Sequence, residues 1–198
     1  MAFTIRLATE DDAGPIQEIY APYVRDTVIS FEREPPSVEE VRHRIRSTLK
    51  DYPWLVGELD GEVIGYAYAG KHRTRDAYQW SVDSSVYVRP DHHRSGIARG
   101  LYESLFELLT LQGFFNVYAG ITLPTPASVG FHESMGYQPI GVYKNVGHKH
   151  GAWHDVKWWH RSLGDPAPDP ERPTSLQEVQ SHEGWDDAIG TGVQAAQL

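Results

Sequence analysis

The 198-residue sequence contains no cysteine. That removes disulfides, thiolate metal sites and a cysteine nucleophile together. No run approaches the ~18 consecutive apolar residues of a membrane span. The opening "MAFTIRLATEDDAGP" lacks the basic and apolar regions of a secretion signal. Positive charge is also short: 18 Lys and Arg face 27 Asp and Glu, for a formal charge of −9. A dedicated nucleic-acid binder would carry a basic face instead. The expectation is a cytoplasmic protein with neither nucleic acid nor membrane as partner.

What remains is enough for one sizeable core, at 40% hydrophobic residues. Residues 1–163 read as one domain. Residues 164–198 begin "GDPAPDPERP", are rich in Asp and Glu, and lack apolar periodicity. They read as an acidic, mobile tail with Trp185 as its one candidate anchor.

Within the domain, "FTIRLA" is a short strand. Thr9 with Asp12, and Ser37 with Glu40, have the spacing of helix-opening capping pairs. "WLVGELDGEVIGYAYAG" reads as two strands around the Asp60-Gly61 hairpin turn, and "AYQWSVDSSVYV" as a third. "IARGLYESLFELLTLQG" is a long helix closed by Gly113, "FNVYAGIT" a strand, and "PASVGFHESMG" a short helix. Two further strands reach Leu163. Strand, two helices, three strands, helix, strand, helix, two strands is an α+β order around a mixed sheet.

The stretch "RPDHHRSGIARGLYESL" (89–105) places basic and small residues directly ahead of the long helix. Free backbone N–H groups and the positive end of the helix dipole attract anions there, and small residues let a phosphate approach. Arg94 adds a fixed charge. The segment fits a pyrophosphate cradle, although many such loops only turn the chain. His92 and His93, with "GHKHG" at 147–151, also admit a metal site, but no partner cluster is spaced to complete one. In the preceding strand Tyr78, Trp80, Val82, Ser84, Val86 and Val88 alternate with Gln79, Ser81, Asp83, Ser85 and Tyr87. A polar face with one carboxylate beside a phosphate loop suggests a wet cleft.

Strand, loop and helix together resemble the acetyl-CoA-binding core of the GNAT acetyltransferases, with Gly96 and Ala98 matching the loop pattern and His93 standing where Gln or Arg is usual. "SFEREP", "DYPWLVGELDGEVIGYAYAG", "RDAYQWSVDSSVYV", "SVGFHESMGY" and "GHKHGAWHDVKWWHRSL", spread over residues 3–163, resemble the phosphinothricin N-acetyltransferase group. The resemblance implies the GNAT fold, with a mixed, mostly antiparallel sheet flanked by helices. It implies direct acetyl transfer from acetyl-CoA, without a metal, to the primary amine of a small amino-acid-like substrate such as phosphinothricin, methionine sulfoximine or methionine sulfone. It also implies a homodimer.

The same resemblance supplies roles. Val86, Tyr87 and Val88 would pair with the pantetheine arm, and His93, Arg94, Ser95, Gly96, Ile97 and Ala98 would hold the pyrophosphate, with Thr125 and Ser128 nearby. Asp83, where the group has a glutamate, is the expected base, acting through a water. His132 is the expected acid for the departing thiolate, set against a purely structural helix histidine. Arg75 and Tyr78, with Arg73 and an apolar wall from Phe31, are the expected substrate contacts. Trp153, Trp158 and Trp159 read as packing, and Lys149 and His150 match a group element without an evident role. Thr125 stands where Asn is common. With three such departures, an acetyl-CoA-binding sensor without catalysis is the alternative.

Overall fold

The structure is a computed structural model that describes residues 2–196. Its sheet follows the expected order: β1 (Phe3–Leu7), β2 (Trp54–Leu59), β3 (Glu62–Lys71), β4 (Ser81–Val88), β5 (Asn116–Thr122), β6 (Gln138–Lys149) and β7 (Ala152–Ser162). Helices α1 (Ala13–Asp26) and α2 (Val38–Thr48) come between β1 and β2, α3 (Ile97–Gln112) between β4 and β5, and α4 (Pro126–Ser134) between β5 and β6. The strands lie in the order β1-β2-β3-β4-β5-β7-β6. All neighbours are antiparallel except β4 and β5.

Local chemistry explains the boundaries. The Ser37 hydroxyl accepts the Glu40 amide at 3.1 Å and opens α2, a cap worth about 1 kcal/mol. Asp60 and Gly61 both take positive φ, which a tight two-residue hairpin demands. Two layers cover the sheet. Ile16, Ile19, Val41 and Ile45 of α1 and α2 bury against Trp54, Val56 and Tyr66. Leu101, Leu105, Leu108 and Leu109 of α3 bury on the opposite face against Ala67, Val82 and Val117. Each such leucine contributes about 1.5–3 kcal/mol by leaving water.

Two expectations need correction. Strand β4 begins at Ser81, not near Ala77, because Tyr78 N bonds Arg75 O and Gln79 N bonds Asp76 O, winding that stretch into a 3-10 turn. Tyr78 is therefore exposed on a turn. The supposed mobile tail, in turn, forms α5 (Leu176–Val179) and α6 (Trp185–Ala195). Trp185, Ile189 and Val193 pack against the core, and Leu176, Val179 and Ala188 are buried. The Ser104 hydroxyl donates to Ile189 O at 2.6 Å and accepts from Gly192 N at 3.1 Å. The small residues hide the pattern: Gly100 on α3 and Gly192 on α6 let the two backbones touch, and a Cβ on either would meet the other's carbonyl.

Gly192→Ala should therefore overpack the α3–α6 crossing at a cost of about 1–3 kcal/mol. Thermal unfolding should show a loss of roughly 3–10 °C for a chain of this size. An unchanged melting temperature would mean that α6 does not dock in solution.

Candidate active site

The site is organised by a fork in the sheet. β4 pairs with β3 from Val82 to Val88, but with β5 only through Ser81–Asn116, Val82–Val117 and Asp83–Tyr118. Beyond Asp83 the two strands part, while β5 stays paired with β7 along its whole length. The β5-facing edge of Ser84 to Val88 is left without a strand partner, which suits an extended ligand that adds backbone-like hydrogen bonds.

Asp83 sits at the root of this fork. Its Oδ1 lies 2.6 Å from His72 Nδ1, and its side chain is 38% exposed. Burial raises the carboxyl above its ordinary value, while the hydrogen bond and charge of His72 and the charge of Arg73 pull it down. His72, the first residue after β3, was not anticipated from sequence. Its ring stacks on Tyr118 with centroids 4.3 Å apart and meets Tyr78 and Trp158 edgewise. The signal was available in the hairpin register: Gly70 opposes Asp83, so a residue two positions on shares its face.

Around this pair lie some of the expected substrate contacts. Arg73 donates to its neighbour's carbonyl, His72 O, and sits 5.8 Å from the Trp158 ring. Arg75 is exposed, and its guanidinium has no partner among the described residues. Phe31 packs against Gly147, with its ring 6.2 Å from the His154 ring. Lys149 is buried with its ammonium on Val24 O and Ser30 O, tying the end of β6 to the chain ahead of Phe31. Trp159 is buried as expected, whereas Trp153 is 64% exposed and fills no core.

The loop expected to hold a pyrophosphate runs from His93 into the start of α3. Arg94 and Gly96 both have positive φ, so the chain folds into a tight loop whose amides lead into the first turn of α3. Such a run of N–H groups suits an anion. Arg94 is exposed and Ser95 half-buried, with its hydroxyl on His92 O at 2.6 Å. Ile97 is buried, and Ala98 and Ile97 start the helix. His93 is exposed, yet its Nε2 lies 3.0 Å from Val88 O and 2.8 Å from the Tyr23 hydroxyl, which also donates to Val88 O at 2.5 Å. His93 thus ties the loop to the end of β4, and the Val88 carbonyl is already engaged. Among the described residues no three His, Asp or Glu side chains gather as a metal site requires.

His132 belongs to the other face of the sheet. It is buried on α4, with Nδ1 2.8 Å from the Ser128 carbonyl and Nε2 3.3 Å from the Tyr102 hydroxyl. A carbonyl only accepts, so Nδ1 carries the hydrogen and Nε2 is the acceptor. Burial lowers the imidazole's proton affinity, partly opposed by the Ser128 bond, so the ring rests neutral at neutral pH. Tyr137, whose ring centroid is 5.1 Å from that of His132, bonds Ser84 Oγ at 2.7 Å beside the fork. The Thr125 hydroxyl is turned back onto Thr122 O.

A neutral buried histidine gives a pH signature. Because the folded-state affinity lies below the unfolded value of about 6.5, the unfolded chain takes up the proton first as pH falls, and stability drops below neutrality. His132→Gln should flatten the fall in melting temperature between about pH 7 and 5. An unchanged slope would place a protonated ring in the folded protein.

Among known proteins, the acetyltransferase (GNAT) domain family matches residues 5–158. The phosphinothricin N-acetyltransferase of Streptomyces viridochromogenes is 41% identical over 172 residues, 86% of this chain and 94% of that protein. The L-methionine sulfoximine/L-methionine sulfone acetyltransferase of Salmonella typhimurium is 33% identical, over 83% of this chain and 96% of that protein. A crystal structure of a phosphinothricin acetyltransferase from Sinorhizobium meliloti in complex with acetyl-CoA superposes with a TM-score of 0.81 at 34% identity, covering 89% of this chain and 99% of that one. With family match, relatives and fold in agreement, the chain belongs to the GNAT acetyltransferase family.

Proposed function

We propose that the chain moves the acetyl group of acetyl-CoA to the primary amine of a small amino-acid-like molecule, of the kind represented by phosphinothricin, methionine sulfoximine and methionine sulfone. The observation that carries this reading is Asp83, a partly desolvated carboxylate at the point where β4 and β5 part. The edge at Val86 and Tyr87, ending at Val88 whose carbonyl is taken by Tyr23 and His93, and the amides from Arg94 to Ala98 offer what the co-substrate's pantetheine arm and pyrophosphate need, with Thr125 and Ser128 at the start of α4. Thr125 would contribute through its backbone N–H, since its hydroxyl donates to Thr122 O and its carbonyl accepts from Val129 N.

In the proposed reaction the Asp83 side takes a proton from the substrate ammonium. The free amine attacks the thioester carbon, the carbon–sulfur bond breaks, and the thiolate leaves. We assign the thiolate end to His132. In its resting form it accepts rather than donates, so it delivers a proton only after Nε2 has gained one. The free guanidinium of Arg75 suits a substrate carboxylate or phosphinate, with Tyr78 and Arg73 beside it. The paired, desolvated carboxylate favours an enzyme over a non-catalytic acetyl-CoA sensor, and a cytoplasmic location follows from the co-substrate. No helix among the described residues is long and apolar enough to cross a membrane.

We also propose a homodimer. β6 is an edge strand and leaves Ile140 57%, Val146 50% and, across the hairpin, Trp153 exposed. An exposed apolar edge of this length calls for a covering partner. Phe31 packs on the same hairpin at Gly147, so dimer formation would shape the apolar wall expected of it.

Free CoA release, followed against a panel of amino acids and their analogues, tests the reaction. Asp83→Asn should lower kcat by roughly 10²–10⁴ and leave acetyl-CoA binding nearly unchanged. Wild-type turnover in that variant would move the base elsewhere. Sedimentation at working concentration should give a dimer, and dilution should weaken amine binding more than acetyl-CoA binding. A monomer with full amine affinity would rule the interface out.

A further inference from the structure

We propose that the group receiving the substrate's proton is His72, with Asp83 holding it, so that the base is a histidine–aspartate dyad. This deepens, and rests on, the acetyltransferase reading above. Asp83 Oδ1 and His72 Nδ1 are 2.6 Å apart, a charge-assisted distance. An ionised carboxylate only accepts, so the imidazole proton is on Nδ1 and the Nε2 lone pair is free. No described residue hydrogen-bonds that Nε2, although the side chain is only 12% exposed. The ring is fixed as well as bonded: it lies on Tyr118 at an interplanar angle of 18°. Tyr118 is the β5 partner of Asp83 in the last pair before the strands part, so the imidazole sits over the root of the fork. A base must lie within hydrogen-bond reach of the proton it removes, or one water away, and be held in one tautomer. Asp83 holds His72 in one tautomer, and the ring's place over the root of the fork would put Nε2 before an amine that enters there.

The groups facing the ring are Asp83 from β4, Tyr118 from β5, Trp158 from β7, and Tyr78 and Arg73 from its own loop. Asp83 is the one anion among them. Its oxygen holds the ring in the tautomer with hydrogen on Nδ1, and Arg73 is turned onto the His72 carbonyl. The step balances without a further reagent. An ammonium N–H bond breaks, its electron pair stays on nitrogen, and the proton moves to Nε2. Nitrogen then bonds the thioester carbon, the carbon–sulfur pair leaves on sulfur, and the nitrogen gives up its second N–H proton to the departing thiolate or to solvent. The imidazolium later returns its proton to solvent or to the product thiolate.

His72→Phe keeps an aromatic ring on Tyr118 and removes the base. Its kcat should fall by roughly 10²–10⁴ with the KM for acetyl-CoA unchanged. In His72→Ala, added imidazole should restore part of the rate in proportion to its unprotonated form, which a merely structural role would not produce. Nitrogen-15 spectra of the wild type should show the tautomer with hydrogen on Nδ1, and Asp83→Asn should abolish that preference. The dyad is overturned if His72→Phe turns over within about threefold of wild type, if imidazole leaves His72→Ala unchanged, or if the spectra place the hydrogen on Nε2. Activity kept in His72→Phe but lost in Asp83→Asn would return the role to the carboxylate and leave the acetyltransferase reading standing. A wild type that acetylates no amine would overturn that reading instead, and the spectra would still decide the dyad.

Discussion

The parting of β4 from β5 sets the conditions under which every other feature of the site operates. β4 is tied to β3 along one edge, and β5 to β7 along the other, so each strand belongs to a separately braced half of the sheet. Three residue pairs join the halves. A sheet that stays closed would satisfy its backbone groups internally and offer nothing to a ligand. A sheet that opens must find partners for the groups it exposes, because unpaired backbone polar groups away from water are costly. Ser84 and Tyr137 plug the root of the opening from the α3 side with a mutual hydrogen bond, which keeps the split from running further.

The fork also separates two titratable groups that the sheet assigns to opposite faces. Asp83 and Ser84 are consecutive, so one points to the face of His72 and the other to the face of Tyr137 and His132. On the first face an anion and an imidazole share a proton, an arrangement able to gain a further one. On the second, burial among Tyr102, Phe131 and Tyr137 keeps His132 neutral, with its single N–H committed to Ser128. Environments that drive two groups apart in this way are how one site handles both ends of a proton transfer. The cavity between α1, α2 and the sheet, lined by Tyr20, Arg44, Trp54, Tyr66 and Tyr68, lacks this property. Its one charge, Arg44, is neutralised by Glu32 and Glu40.

Local rules carried far in the sequence because most elements announce themselves. Ser37 caps α2 as its spacing implies, the Asp60-Gly61 turn takes the required positive φ values, and Gly113 ends α3 in the left-handed region. The departures occur where long-range packing decides. Residues 164–198 have few large apolar side chains, yet α6 docks because Gly100 and Gly192 permit backbone contact, and glycine adds nothing to an apolar pattern. Tyr78 alternates with Trp80 as a strand residue would, but short turn bonds capture it first. At the site, Asp83 stood out as a carboxylate on a polar strand face. His72 did not, since its meaning depends on the hairpin register and on Tyr118, more than forty residues away, arriving beneath it.

That dependence makes sense of the aspartate itself. The resemblance leads one to expect a glutamate at position 83, and an aspartate is shorter by one methylene, roughly 1.5 Å of reach. An isolated aspartate at the root of the fork would be set back from the amine and would need water to complete the path. With His72 bonded to it, the proton-accepting atom is carried to the far side of an imidazole ring, beyond where a glutamate carboxylate would end. The substrate nitrogen must then approach over the ring, which favours an opening wider at Arg75 and Tyr78 than a glutamate-based site requires. The exposed, unpartnered Arg75 guanidinium fits that geometry, since a longer approach lets a carboxylate be held at the loop while the amine reaches the fork. Shorter carboxylate and bonded histidine thus act as one unit, with Asp83 on β4 and His72 at the end of β3, the strand paired with it.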